Sequence, residues 1–371
     1  MTIFSTIKKP TLLIDEDKAR KNLALINERV SSQGVQFRPH FKTHQSAEIG
    51  EWFREIGIKK IAVSSIEMAI YFADHGWDDI FVAFPVNILQ MEEIAKLSKI
   101  IKLSLLFEDA DVVTYLNNQL VNPINGWIKI DTGLNRSGLK PDQFEKILQT
   151  AKELEKSKNI TFKGLMTHAG NTYNQKTEKG ITSVYDQSVE ILFDIRDQLN
   201  QHGFSNIEIS TGDTPSSKMV KDFKQVSELR PGNFLFYDIQ QYQAGVCQLD
   251  EIAVAVVCPV VAIHPAKNEL ILYGGAIHLS KDSHSLGSDQ NAFGLVTVPA
   301  KNGWGWDDQK TIGYLRSISQ EHGVAVIPDG IPEEIRPGSL VCVLPAHSCL
   351  TVQAMGKYVN FDGEIIHTML S

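Results

Sequence analysis

The chain has 371 residues, 43% of them hydrophobic, enough for a large buried core and for two domains. Lys and Arg total 36 against 44 Asp and Glu, a formal charge of -8, which argues against a nucleic-acid or anionic-membrane surface while leaving room for a local basic pocket. The four cysteines (Cys247, Cys258, Cys342, Cys349) form no CxxC pair, which fits a reduced, cytoplasmic setting, and the apolar run Thr11–Ile14 is too short for a signal segment or a membrane span.

In chain order, Asp15 is placed to cap a helix running to about Val30, with Leu23, Ile26 and Val30 on one face. The stretch Val35–His44 alternates apolar and polar residues and reads as a strand ending near Lys42, followed by a helix from Ala47 to Ile56. Further strand-like runs fall near 60–65, 80–84, 102–106, 126–131, 161–167, 207–211 and 227–230. Helical patterns lie between most of them: Ile88–Leu97, Asp111–Leu120, Gln143–Leu154, Val184–Gln201 and a short one at Ser216–Phe223. Eight strands with intervening helices predict a (β/α)8 barrel with its chemistry at the C-terminal strand ends. The rival is a doubly wound open sheet, but no GxGxxG opens a helix after any strand. From about Ala244 the texture turns β-rich and Gly/Pro-punctuated, with Ile252–Ile263, Glu269–Tyr273 and Leu340–Leu344 as strands and helical period only at Lys310–Gln320. The expected division is a barrel over 12–243 and a mainly β domain over 244–371 together with 1–11.

The expected strand ends carry matching chemistry. The first brings His40 and Lys42, with Arg38 and His44 expected to keep that mouth polar and partly cationic. Such neighbours favour the neutral amine, and a neutral lysine can form a Schiff base with an aldehyde. The fifth carries Lys129-Ile130-Asp131-Thr132-Gly133-Leu134-Asn135-Arg136, the sixth ends at His168, the seventh at Thr211-Gly212-Asp213-Thr214, and the eighth at Arg230-Pro231-Gly232-Asn233. Singly, each has a plainer meaning: a turn at Asp131-Thr132-Gly133, a satisfied buried histidine at His168, turn chemistry after Thr211 and a strand boundary at Arg230. Jointly, at successive strand ends, a lysine, two arginines, a histidine and a Gly/hydroxyl cradle for phosphate are what pyridoxal phosphate requires.

Arg38-Pro39-His40-Phe41-Lys42-Thr43-His44 resembles the lysine motif of the D-serine dehydratase and D-threonine aldolase family, pyridoxal-phosphate enzymes of the alanine-racemase fold. The likeness runs from about Pro10 to the end of the barrel and returns at Leu344–Val352, around Pro345-Ala346-His347-Ser348-Cys349. It implies that Lys42 is the Schiff-base lysine, with His40 in the same cofactor-binding motif. It puts Arg136 beside the cofactor's phenolic oxygen and His168 against the ring. It puts Arg230 near the ring nitrogen, where a permanently charged guanidinium discourages full pyridinium formation. Thr211, Gly212, Gly232 and Asn233 would hold the phosphate, and Tyr173, retained from the family's HxGHxY pattern, is a second catalytic candidate. The chain departs from the family at Gln45, commonly lysine, and at Asn171, frequently histidine; both positions lie close to where substrate should sit.

His347 and Cys349 alone are only an HxC spacing, a weak metal signal. In the family, however, His with Cys holds a metal in dehydratases and His with Asp in aldolases, and a thiolate favours zinc. The resemblance therefore implies a lyase in which Lys42 removes the α-proton of a D-amino acid, zinc polarises the β-hydroxyl and water is lost, giving pyruvate and ammonia from D-serine. The runner-up is a D-threonine or 3-hydroxy-D-amino-acid aldolase. An amino-acid racemase would need a second base, and no residue is identified for it. A non-catalytic pyridoxal-phosphate carrier would have no β domain, and a metal-dependent barrel hydrolase would need more ligands than one HxC. Relatives of this kind imply a homodimer and a small D-amino-acid substrate.

Overall fold

The computed structural model describes residues 3–287, 290–300, 303–304 and 311–371. Strand β1 (Thr11–Ile14) leads into helix α1 (Glu16–Ser31), and Asp15 Oδ1 accepts the Lys18 N–H at 3.1 Å, as an N-cap should. Eight parallel strands follow: β2 (Gln36–Phe37), β3 (Ile61–Val63), β4 (Asp79–Pro85), β5 (Lys102–Phe107), β6 (Ile124–Lys129), β7 (Ile160–Met166), β8 (Glu208–Thr211) and β9 (Glu228–Leu229). The helices among them are α2 (Ala47–Glu55), α3 (Ile66–Asp74), α4 (Met91–Leu97), α5 (Ala110–Gln119), α6 (Phe144–Lys156), α7 (Glu178–Gln201) and α8 (Thr214–Met219). Strands β3 to β9 pair in sequence order and β9 pairs with β2. The ring closes through Phe41 N–H to Ala62 O (2.8 Å) and Ala62 N–H to Pro39 O (2.9 Å), so the sheet is the barrel that the alternation predicts. Ala62, Phe81, Leu106, Trp127 and Met166 fill its interior.

Local chemistry sets several helix starts. Ser65, Asp109 and Thr177 accept N–H groups of the first turns of α3, α5 and α7 at 3.1, 2.7 and 3.1 Å. The Thr177 cap also explains why α7 begins at Glu178, six residues before the apolar period at Val184 becomes visible. The strand expected to reach Lys42 stops instead at Phe37. Pro39 lacks an N–H for a ladder and restricts Arg38 before it, so Lys42 lies in a turn beyond the closing bridge.

Leu25–Lys42 and Gly50–Gly232 form one compact unit containing the barrel; Met1–Ala24, Thr43–Ile49 and Asn233–Ser371 form the other. The second unit is built on a nine-stranded sheet whose long central strand, Val254–His264, pairs antiparallel with β1, Glu269–Tyr273 and Leu340–Pro345. The helical period expected over Lys310–Gln320 is overturned: Gly313–Ile318 is a strand (Lys310 lies outside the described residues), because antiparallel partners at Leu295–Val296 and Gly323–Val326 flank it on both sides. Among the described residues no helix is long and apolar enough to cross a membrane.

Candidate active site

In the barrel unit, the residues singled out after β6, β7, β8 and β9 converge. His168, two residues past β7, donates from Nδ1 to Gly212 O, which follows β8, at 3.3 Å. That bond fixes the tautomer and leaves Nε2 as an acceptor. Burial, and then the charges of Lys42, Lys129 and Arg136, hold the His168 pKa well below its ordinary value, so the ring is neutral among three basic side chains. Tyr173 stands beside it, ring centroids 6.2 Å apart, and its hydroxyl accepts the Thr214 N–H at 3.5 Å. Lys42 is exposed, and its backbone N–H lies 3.4 Å from His40 Nδ1.

Arg230 is 3% exposed and rigidly held: Nε donates to Ser210 Oγ at 2.6 Å, Nη2 to Thr167 O at 2.7 Å, and the guanidinium lies 5.6 Å from the Phe81 ring centroid. Asp131 Oδ1 accepts the N–H groups of Gly133 and Asn135, both at 3.0 Å, so this loop is indeed a side-chain-closed turn, and the same turn carries Arg136. Gly212 has φ +125°, and a Cβ there would come within 2.5 Å of the Arg230 backbone nitrogen, a close approach only glycine permits. Thr211 Oγ1 is buried with no hydrogen-bond partner among the described residues. An orphaned hydroxyl beside a glycine cradle, with cations gathered on a neutral imidazole, fits a phosphate-bearing aldehyde cofactor. Lys42 would hold its carbonyl carbon, His168 its ring, Arg136 and Arg230 its polar ring atoms, and Thr211, Gly212 and Gly232 its phosphate.

Two expectations about the lysine's surroundings are corrected. Arg38 does not line this mouth: Nε donates to Glu228 Oε2 at 2.8 Å and Nη1 to Asp79 Oδ1 at 2.7 Å, a buried ion pair at the opposite, N-terminal end of the strands. His44 is not cationic, because burial pushes its pKa down to about 3, and its Nδ1 accepts the Ser46 N–H at 3.1 Å. The charge they were expected to bring comes instead from Lys129, which the motif reading passed over. It is 4% exposed, and burial, then Arg230 and Arg136, bring its pKa down to about 7. Its signal was a lysine inside an otherwise apolar strand. Asp213 was passed over too: burial raises its pKa to about 6 although Ser216 N–H and Thr172 Oγ1 both donate to Oδ1 at 2.8 Å.

The second unit holds the histidine and the thiol. Cys349 lies in the first turn of the helix Ser348–Met355, where backbone N–H groups favour negative charge. His347 immediately precedes that helix and hydrogen-bonds Cys349. Asp238 ties the segment down, Oδ2 accepting the Ser348 N–H at 3.0 Å and the Asn233 Nδ2 donor at 2.7 Å. Asn233 Nδ2 also lies 2.9 Å from Ser348 Oγ and 3.6 Å from Cys349 Sγ, so this side chain serves the histidine–thiol segment and leaves only its backbone for a phosphate. Burial alone would lower the His347 pKa, but Cys349, Asp238 and Asp282 override it and carry it up to about 10. An imidazole and a thiol in hydrogen-bond contact fit one soft divalent ion replacing the shared proton. Among the described residues no third His, Cys, Asp or Glu joins them as a donor.

Residues 14–240 match the family model described as "Alanine racemase, N-terminal domain", and residues 253–361 match the "Putative serine dehydratase domain". D-serine dehydratase of Dictyostelium discoideum is 27% identical over 98% of this chain and 96% of its own length. D-threo-3-hydroxyaspartate dehydratase of Delftia sp. strain HT23 is 26% identical over 97% of this chain and 96% of its own. Its solved structure superposes with TM-score 0.89 over 99% of this chain and 98% of that one, and a cysteine-to-alanine variant of that enzyme is described as metal-free. A 3-hydroxy-D-aspartate aldolase of Paracoccus denitrificans is more distant, 22% identical over 98% of this chain and 91% of its own. With more than half its length inside the first model and most of the remainder inside the second, the chain belongs to the alanine racemase N-terminal domain family, in the form that carries a serine dehydratase domain.

Proposed function

We propose that the protein is a pyridoxal-phosphate- and zinc-dependent D-amino-acid lyase that eliminates water from a β-hydroxy-D-amino acid, D-serine or a close analogue, releasing ammonia and a keto acid. The observation that carries the lyase reading is the convergence of Lys42, Lys129 and Arg136 on a neutral His168 that is tied to the Gly212 carbonyl. The presence of a thiol, Cys349, beside His347 supports dehydration over aldol cleavage, as do relatives at 26% and 27% identity that are named dehydratases.

When bound, pyridoxal phosphate supplies the electron sink for Cα–H cleavage, and zinc supplies a Lewis acid that makes hydroxide a feasible leaving group. The chain's own residues do the rest. Lys42 Nζ takes the proton from the substrate Cα. Neutral His168 would hold a flat ring without adding charge to it. Arg230, pinned by Ser210 and the Thr167 carbonyl, would present a fixed positive charge to the cofactor's ring nitrogen and so discourage its protonation. Lys129 and Arg136 offset the negative charge of the anionic groups brought in. Tyr173 is kept as the second proton-handling group because its ring stands beside that of His168.

The test is a product assay on purified protein with D-serine, D-threonine and 3-hydroxy-D-aspartate, with and without a chelator. Ammonia and a keto acid that vanish on chelation support the proposal. Release of an aldehyde and glycine would replace it with the aldolase. Borohydride reduction should fix the chromophore onto the Lys42 peptide and no other. Cys349→Ala should lower zinc content and elimination together, and unchanged rates would remove the zinc-assisted step.

A further inference from the structure

We infer that Asp282 is a positioning residue for the histidine–thiol pair: it takes the Nδ1 hydrogen of His347 and so presents Nε2 as the donor to a divalent metal. This rests on the proposed reading of His347 and Cys349 as metal ligands. Asp282 Oδ2 lies 2.6 Å from His347 Nδ1, a charge-assisted distance. The same imidazole also hydrogen-bonds Cys349, and with Nδ1 committed to the carboxylate, that contact falls to Nε2. The ring therefore bridges an anchor on one side and the thiol on the other.

The carboxylate is itself held in place. Asp282 follows the short helix Ala276–Leu279, whose last carbonyl accepts Thr351 Oγ1 from the helix Ser348–Met355 at 3.1 Å. Asp282 N–H lies 3.3 Å from Ser280 Oγ, and Ser283 O accepts from Gln240 Nε2 at 3.4 Å. The segment carrying the carboxylate is thus cross-linked to the helix carrying the thiol. A neutral imidazole has one lone pair, and which nitrogen carries it is decided by what the other nitrogen donates to. A carboxylate on Nδ1 fixes the tautomer, orients the ring and makes Nε2 a stronger donor. Because the two ring nitrogens diverge, Asp282 cannot bind the ion that Nε2 binds, and it acts only through His347. Its side chain is 38% exposed, so replacing it opens no core cavity.

The experiment uses the full chain, stripped of metal by a chelator. Zinc affinity is measured by competition with a chromophoric chelator, and cobalt(II) absorption serves as a second readout. Asp282→Ala should bind zinc about 10–100-fold more weakly. Its cobalt complex should keep the near-ultraviolet thiolate charge-transfer band, since Cys349 still ligates, and its metal-free unfolding midpoint should match the parent. Asp282→Asn, whose amide oxygen still accepts from Nδ1, should recover part of the affinity. Parent-like zinc affinity in Asp282→Ala would overturn the inference. So would loss of the thiolate band in both Asp282 variants, which would make the carboxylate part of the fold. His347→Ala and Cys349→Ala separate the two levels. If they too bind zinc like the parent, the metal reading fails and takes the inference with it. If they lose zinc while Asp282→Ala does not, only the role of Asp282 falls.

Discussion

The barrel mouth and the histidine–thiol segment hold their polar groups by opposite means. Around His168, like charges are gathered: Lys42, Lys129 and Arg136 all act on one imidazole, while Thr211 Oγ1 is buried without a partner among the described residues. Around His347, unlike groups are paired: Asp282 faces one ring nitrogen, Cys349 hydrogen-bonds the ring, and Asp238 fastens the backbone of the residue between the two candidate ligands. Positive charge gathered in excess of the carboxylates near it (Glu108 and Asp131 at Lys129) costs stability in a folded chain unless an external anion completes it. A matched cluster is stable by itself and, on the proposed reading, would exchange one proton for one metal. On the proposed reading the mouth is thus arranged for an anionic cofactor, and the segment for a cation.

The largest effect that tests this contrast is at Lys42. Lys42→Ala removes the one amine proposed both to hold the cofactor and to move a proton, so turnover should fall by at least about a thousandfold, within the range for a lost acid–base group. Zinc content should be unchanged. Near-parent activity in this variant would end the assignment. Next is Gly212→Ala. The added Cβ would lie 2.5 Å from the Arg230 nitrogen at a φ of +125°, so we expect about 1–3 kcal/mol lost in urea unfolding together with cofactor release. A variant that folds and binds cofactor like the parent would show that the cradle is not at Gly212.

How far these regions were legible in the sequence follows from the same contrast. The barrel could be read because its strands are apolar runs punctuated at regular spacing, and because His168 and Arg230 directly follow two of those runs. Arg38 and His44 misled, since proximity in sequence to Lys42 says nothing about direction. One side chain reaches the N-terminal end of the barrel to meet Glu228 and Asp79, and the other is buried and neutral. Lys129 shows in the sequence only as a single lysine in an otherwise apolar run. Asp282 and Asp238 are separated from His347 by 65 and 109 positions in the chain, respectively, and no local spacing announces either. Gly313–Ile318 was misjudged because strand pairing with distant partners outweighs local period.

Lys129 offers a pH signature that the matched cluster cannot give. Its folded pKa of about 7 lies below the ordinary lysine value of 10.5, so between these limits the unfolded chain binds the proton and the folded chain does not. Cofactor-free stability should therefore rise with pH from about 7 towards 10.5, by up to about 1.4 kcal/mol per pH unit from this group. Urea unfolding of the parent and of Lys129→Met across that window should differ in slope by that amount. Equal slopes would mean that Lys129 stays protonated and that the cluster already carries a compensating charge.

The smallest effect is also the sharpest, because the contrast predicts opposite signs for stability and binding. Thr211→Val keeps the shape of the side chain and deletes a buried hydroxyl with no partner among the described residues. In the cofactor-free chain the hydroxyl pays a desolvation cost that nothing returns, so the variant should be more stable by about 1 kcal/mol. If that hydroxyl completes a phosphate, the same change should weaken cofactor binding by roughly tenfold, equivalent to about 1.4 kcal/mol. A purely structural threonine would show neither the gain in the empty chain nor the loss on titration with cofactor. A hydroxyl turned towards some other buried acceptor would show a loss in both. Only a group reserved for an incoming anion makes the empty protein better and the loaded one worse.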